Sequence, residues 1–376
     1  MAIGPLAIDM YLPAFSSMAE YFSVPDSQIQ LTLSSYFIGV AFGQVLYGPI
    51  IDRVGKKLPL IFGLVIFAIA SILCANANNI ETMIYLRFFQ AVGACSCFVV
   101  MRAIVRDLFN DTESAKVFSY LMLVMGIAPI VAPMLGSLVL INFSWPAIFW
   151  FLSLFSGALI LISILYLPES KPGDKNEKLS GAFKKYGKIL SDKNFLFYSL
   201  SGGVSIAGMF IFIAGSPFVI IEFFGIDPKN YSYIFAINAF GYVILAQANA
   251  RILKFFSLKK ILDFAFLITL FASVLLIISS LYFPNIWKIS IPIFIYVALT
   301  GVITPNSTAL ALANQKAHSG SASAMFGTIQ FSICSLGVFL MSHFHNQTIL
   351  PMTIAISTCG IIAFFINFAR NKFYQN

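Results

Sequence analysis

The chain has 376 residues, of which 59% are hydrophobic and only 10% charged, with 40 phenylalanines. That much apolar side chain exceeds what the interior of a water-soluble protein can bury, so a bilayer is the implied solvent and a sizeable soluble domain is excluded. The formal charge of +8 is spread over short inter-helix segments and not gathered in one patch, which argues against nucleic acid as a partner.

A hydrocarbon core of about 30 Å needs roughly 20 apolar residues per helix. Windows of that kind predict an all-α polytopic protein with spans near 1–22, 28–51, 58–76, 80–105, 115–141 and 146–167. Six more follow near 195–221, 230–250, 260–283, 287–313, 321–343 and 348–369. The long polar connection at 168–194 reads as a linker between two six-helix halves, 1–167 and 195–376. Its stretch 179–190 is either a surface helix facing anionic headgroups or a solvated tether. The spacing of Gln44 to Lys56 and Lys57 recurs as Gln247 to Lys259 and Lys260, as two halves related by an axis along the membrane normal would give.

Charge sorts the loops. One set holds Arg53, Lys56 and Lys57, then Arg102 and Arg106, the linker lysines, Lys259 and Lys260, and Arg370 and Lys372. The alternate set holds Lys229 and Lys288 against Glu20, Asp26, Glu81, Glu222 and Asp227. The excess of basic residues on one side places both termini in the cytoplasm. Cys74, Cys95, Cys97, Cys334 and Cys359 all fall in apolar windows, where reduced cysteine acts as a small hydrophobe. The histidines, His318, His343 and His345, sit elsewhere, so neither a metal site nor a cofactor is expected.

Polar residues inside the spans are few. Asp9, in Ile8-Asp9-Met10-Tyr11-Leu12-Pro13-Ala14, is the acidic residue placed well inside a predicted span. Arg87, in Arg87-Phe88-Phe89-Gln90-Ala91-Val92-Gly93, is an intramembrane arginine, which costs at least about 2.5 kcal/mol to insert and so calls for a partner. Counted along the helices, Asp9 lies roughly 16 to 20 Å deep and Arg87 about 10 Å, a gap an arginine side chain largely covers. Asp9 is therefore the candidate partner. Its proton occupancy would depend on whether it faces Arg87 or apolar surroundings.

Between spans two and three runs Gly48-Pro49-Ile50-Ile51-Asp52-Arg53-Val54-Gly55-Lys56-Lys57. Gly48 permits close helix approach and Gly55 a tight turn. Positive-inside topology explains the lysines but not Asp52, a carboxylate beside anionic headgroups, for which Arg53, Arg106 and the start of the helix near Ser321 are candidate partners. Span five carries Gly126, Pro129, Ala132, Pro133, Gly136 and Ser137, a pattern of kinks and small contact residues.

The decapeptide 48–57 resembles the signature of the major facilitator superfamily, and Arg87-x-x-Gln90-x-x-Gly93 is similar to that family's span-four motif. The resemblance implies the major facilitator fold of twelve helices in two six-helix bundles. It nominates Gly48, Asp52, Arg53, Gly55, Arg106 and Asp107 as gating residues, and Asp9 and Arg87 for proton coupling. Gly126, Pro129, Pro133 and Gly136 resemble the antiporter motif of exporting branches, with alanine and serine in place of some glycines. The stretch around Asp9, the run Ala103-Ile104-Val105-Arg106-Asp107 and the segment Thr304 to Ala324 resemble the Bcr/CflA drug-resistance branch.

In the resembled fold spans one, four, seven and ten line the cavity, which nominates Tyr11, Gln90, Met209, Phe212 and Asn306, with Tyr36 and Gln330 next. A phosphate-cradling nucleotide loop is missing, because Gly55-Lys56 is followed by Lys57 and Ile50 stands where its first glycine belongs. The expectation is a monomeric, non-enzymatic, proton-coupled exporter of small lipophilic drugs in a bacterial inner membrane. The alternatives are a nutrient or metabolite transporter and, further off, a non-transport membrane subunit. Span one begins almost at Met1, where the resembled family has about half a helix more, so either the true start lies upstream or the first helix is truncated, which could leave the transporter inactive.

Overall fold

Residues 1–108, 111–167, 186–282, 284–315 and 319–373 are described by a computed structural model, in which the regular structure is helical. The chain divides into two units, Met1–Tyr186 and Gly187–Asn376. The first contains α1 (Ile3–Asp9), a 3-10 turn (Leu12–Ala14), α2 (Phe15–Phe22), α3 (Asp26–Val54), α4 (Lys57–Ala75), α5 (Ile80–Leu108), α6 (Asp111–Asn142) and α7 (Pro146–Tyr166). The second contains α8 (Lys193–Pro217) running into a π-helical turn (Phe218–Phe223), then α9 (Pro228–Ile252), α10 (Leu258–Tyr282), α11 (Ile286–Leu312), α12 (Ser319–His343) and α13 (Leu350–Phe373). Most of the expected linker lies outside the described residues.

Among the described residues, eleven helices are long and apolar enough to cross a bilayer. The twelfth apolar segment, read from the sequence as one span over 1–22, is broken. Pro13 has no N–H to offer the carbonyl of Asp9, and the chain tightens into a turn in which Ala14 N–H bonds the Tyr11 carbonyl at 3.0 Å. Window hydropathy measures apolar content and carries no information about this break.

In the first unit α3 packs on α5, α4 packs on α5 and α7, and α1 with its following turn packs on α6. Glycine permits the closest approaches: a Cβ at Gly39 would collide with the Phe88 carbonyl, and one at Gly43 would lie 2.7 Å from Cys95 Cβ. In the second unit α8 packs against α11, α12 and α13, while α9 and α10 flank α11. The side chain of Asp192 caps α8 by accepting from the N–H groups of Asn194 and Phe195 at 2.9 and 3.3 Å. Where a proline frees a carbonyl inside the membrane, another donor must serve it. The Ser216 hydroxyl does so for Ile213, the acceptor that Pro217 leaves open, at 3.3 Å. Large apolar side chains such as Leu154, Leu165, Phe264 and Phe271 point outward, as lipid-facing positions must.

A caged arginine beside a lone carboxyl group

Arg87 projects from α5 and is fully buried. One terminal nitrogen donates to Gln90 Oε1, a turn further along the same helix. The other donates to the carbonyl of Ala7 in α1 at 2.9 Å. Gln90 passes the chain on, donating to Ser71 Oγ of α4 at 2.7 Å, and Ser71 donates to the Phe67 carbonyl at 2.7 Å. Aromatic rings close the rest of the site. The guanidinium carbon lies 4.2 Å from the Tyr11 ring centroid, 4.5 Å from Tyr36 and 5.8 Å from Phe149. Ring faces are electronegative, so they offset part of the cost of withdrawing the cation from water. The Tyr11 hydroxyl is held by Thr32 Oγ1 at 3.0 Å, while the buried Tyr36 hydroxyl has no partner among the described residues.

Asp9, the last residue of α1, is buried at 3% exposure, and its Oδ1 has no hydrogen-bond partner among the described residues. The ion pair anticipated between Asp9 and Arg87 is not formed. Arg87 has taken a carbonyl two residues earlier on the same short helix, and arene faces serve its remaining surface. Three nominated cavity residues, Tyr11, Tyr36 and Gln90, are thus engaged with Arg87. Phe149 and Ser71 belong to the same cluster, and nothing in their local sequence marks them.

The end of the proline-rich pattern in α6 meets this region. Pro129 and Pro133 lie within α6, and Gly136 presses on the break in the first segment, where a Cβ would collide with the Met10 carbonyl. Gly126 is half-buried on the same helix.

At the other end of α3, Gly55 adopts φ 94°, a left-handed conformation that favours glycine, and caps the helix through its N–H to the Ile51 carbonyl at 3.1 Å. Arg53 is exposed. Lys57 reaches the carbonyl of Ile164, near the C-terminus of α7, at 3.1 Å, where a cation favours the helix dipole. Gly48 faces Tyr186. The side chains of Asp52, Arg106 and Asp107 lie outside the described residues.

The remaining nominated residues sit in the second unit, in separate settings. Met209 accepts from the Thr300 hydroxyl at 3.4 Å. Phe212 stacks on Phe235 and lines a small recess with Asn238. Asn306 is buried in a reciprocal amide pair with Asn249, with bonds of 3.0 and 2.9 Å. Gln330 is buried with its Nε2 unpartnered. A second buried arginine was not singled out in the sequence: Arg370 lies 3.6 Å from Asp263, over the ring of Tyr198 at 4.2 Å, and Asn367 donates to Asp263 at 2.7 Å. At the edge of an apolar window Arg370 reads only as a loop charge.

A helical chain with eleven helices, among the described residues, long and apolar enough to cross a bilayer is a multi-pass membrane protein. The chain belongs to the Major Facilitator Superfamily, whose family model matches residues 1–338. It is 33% identical over 370 residues to the "Uncharacterized MFS-type transporter YdgK" of Bacillus subtilis (strain 168), covering 96% of this chain and 92% of that one. To the "Bicyclomycin resistance protein homolog" of Haemophilus influenzae it is 27% identical over 374 residues, covering 98% and 94%. This likeness agrees with the Bcr/CflA branch that the motifs resemble. A solved bacterial homologue of the human lysosomal transporter Spinster, in an inward-facing and unoccupied conformation, matches with TM-score 0.75 at 14% identity, covering 98% of this chain and 94% of that one. At that identity the match speaks for the fold alone.

Proposed function

We propose that this transporter exports small lipophilic compounds, antibiotics among them, in exchange for protons entering across a bacterial inner membrane. It acts as a monomer with both termini in the cytoplasm. Asp9 carries the proton, and Arg87 governs when it is released.

The observation that carries this reading is the buried, unpartnered Oδ1 of Asp9 at the break in the first segment. Isolated charge is costly to bury, so such a carboxyl group is accommodated as the neutral acid until its surroundings change. Arg87 is the cation poised to change them, because it already binds the helix that carries Asp9, at Ala7. Releasing that carbonyl would free the guanidinium to stabilise the carboxylate and discharge the proton. A proton moving down a membrane potential supplies about 2.3 kcal/mol per 100 mV, enough to drive a neutral compound against a gradient of more than about tenfold. The name of the Haemophilus relative supports drug export, and the segment Gly48 to Lys57 supports a gate.

Everted vesicles carrying a pH-sensitive dye test this. Wild-type protein should release protons when a transported drug is added, and Asp9→Asn should abolish that exchange while still inserting and folding. Full proton-dependent export by Asp9→Asn would refute the assignment. Proton-coupled movement of a nutrient in place of a drug would identify a nutrient or metabolite transporter.

A further inference from the structure

Proline inside a helix deprives the carbonyl four residues earlier of its usual N–H donor. In α3 the proline is Pro49 and the carbonyl is that of Val45. This acceptor is served from far away in sequence: the Tyr186 hydroxyl donates to it at 3.3 Å, across 141 residues. Tyr186 is only 5% exposed although it belongs to the polar connection between the two halves. Gly48 lies beside it, where a Cβ would sit 3.4 Å from the tyrosine oxygen, an ordinary contact distance. Pro49 creates the vacancy, and Tyr186 fills it.

We propose that Tyr186 is a positioning residue for the signature segment. Its hydroxyl holds the C-terminal turns of α3 around Pro49 and thereby sets the placement of Arg53 and of the turn at Gly55. This inference rests on the reading of Gly48 to Lys57 as a gate.

A double-mutant cycle with Pro49 tests it. In Pro49→Ala the backbone N–H returns and can bond the Val45 carbonyl itself, so the tyrosine hydroxyl becomes redundant. Tyr186→Phe removes only the hydroxyl and keeps the ring, so the fold survives. One readout is the labelling rate of Val54→Cys, an exposed position beside Gly55, by a membrane-impermeant maleimide. The other is the initial rate of substrate-driven proton exchange. Tyr186→Phe should change both by roughly three- to tenfold when Pro49 is present, as expected for losing one hydrogen bond, and by less than about twofold in the Pro49→Ala background. Equal effects in both backgrounds, or no effect when Pro49 is present, would overturn the proposal. Coupled labelling without any proton-driven export would leave the positioning role standing and remove the functional reading beneath it.

Discussion

The guanidinium of Arg87 donates to the carbonyl of Ala7 at 2.9 Å, while the carboxyl group of Asp9, two residues on in the same helix, keeps a buried oxygen without a partner. The two side chains that the sequence offers to each other as partners are not paired with each other. Arg87 is occupied by one carbonyl, one amide and three rings.

The rings and hydroxyls of the cage separate cleanly. Tyr36 offers Arg87 its ring face but has an unpartnered hydroxyl. Tyr36→Phe should therefore be neutral or slightly stabilising, because it removes an unsatisfied buried group. Tyr36→Leu loses the cation–π contact and should cost about 0.5 to 2 kcal/mol, read as a lower melting temperature in detergent.

Gly136 has no room for a side chain, because a Cβ there would collide with the Met10 carbonyl. Gly136→Ala should destabilise the protein by about 1 to 3 kcal/mol and displace the break that carries Asp9. Gly136→Val should be worse on both counts. Thermal stability and proton-exchange rate, measured on the same preparation, should fall together.

The Asn249–Asn306 pair should behave as a unit. Either single alanine substitution strands a buried amide and should cost about 1 to 3 kcal/mol. The double variant should cost less than the sum of the two, since no polar partner is left behind. Additive losses in thermal melts would show that the two amides do not depend on each other.

His345 lies in the connection between α12 and α13, edge-on to Phe218. Burial pushes its imidazole below the ordinary value, and Glu222 opposes the shift in part. The folded form therefore binds a proton less readily than the unfolded form. Stability from this group is present above about pH 6.5 and is lost as pH falls through the lowered folded value. Replacing His345 with Asn should flatten this part of the pH profile, seen as hydrogen-exchange protection at the π-helical turn between about pH 7 and 5.

Much was legible in one dimension. Hydropathy marked the bilayer as solvent and located eleven of the twelve spans among the described residues, because a helix in lipid must satisfy its own backbone and carry mostly apolar side chains. The segment Gly48 to Lys57 stood out because a carboxylate and two glycines among lysines are not what topology alone requires. Asp9 and Arg87 stood out because ionisable groups within spans are rare. Who would partner Arg87 was not legible, and neither were the place of Phe149 and Ser71, the seat of Gly136 on Met10, the amide pair of Asn249 or the clasp of Arg370 on Asp263. Each of these depends on how a helix is rotated about its axis and which neighbour it meets. In an apolar helix surrounded by lipid and other apolar helices, the hydrophobic pattern is too uniform to fix that rotation, so only packing in three dimensions decided it.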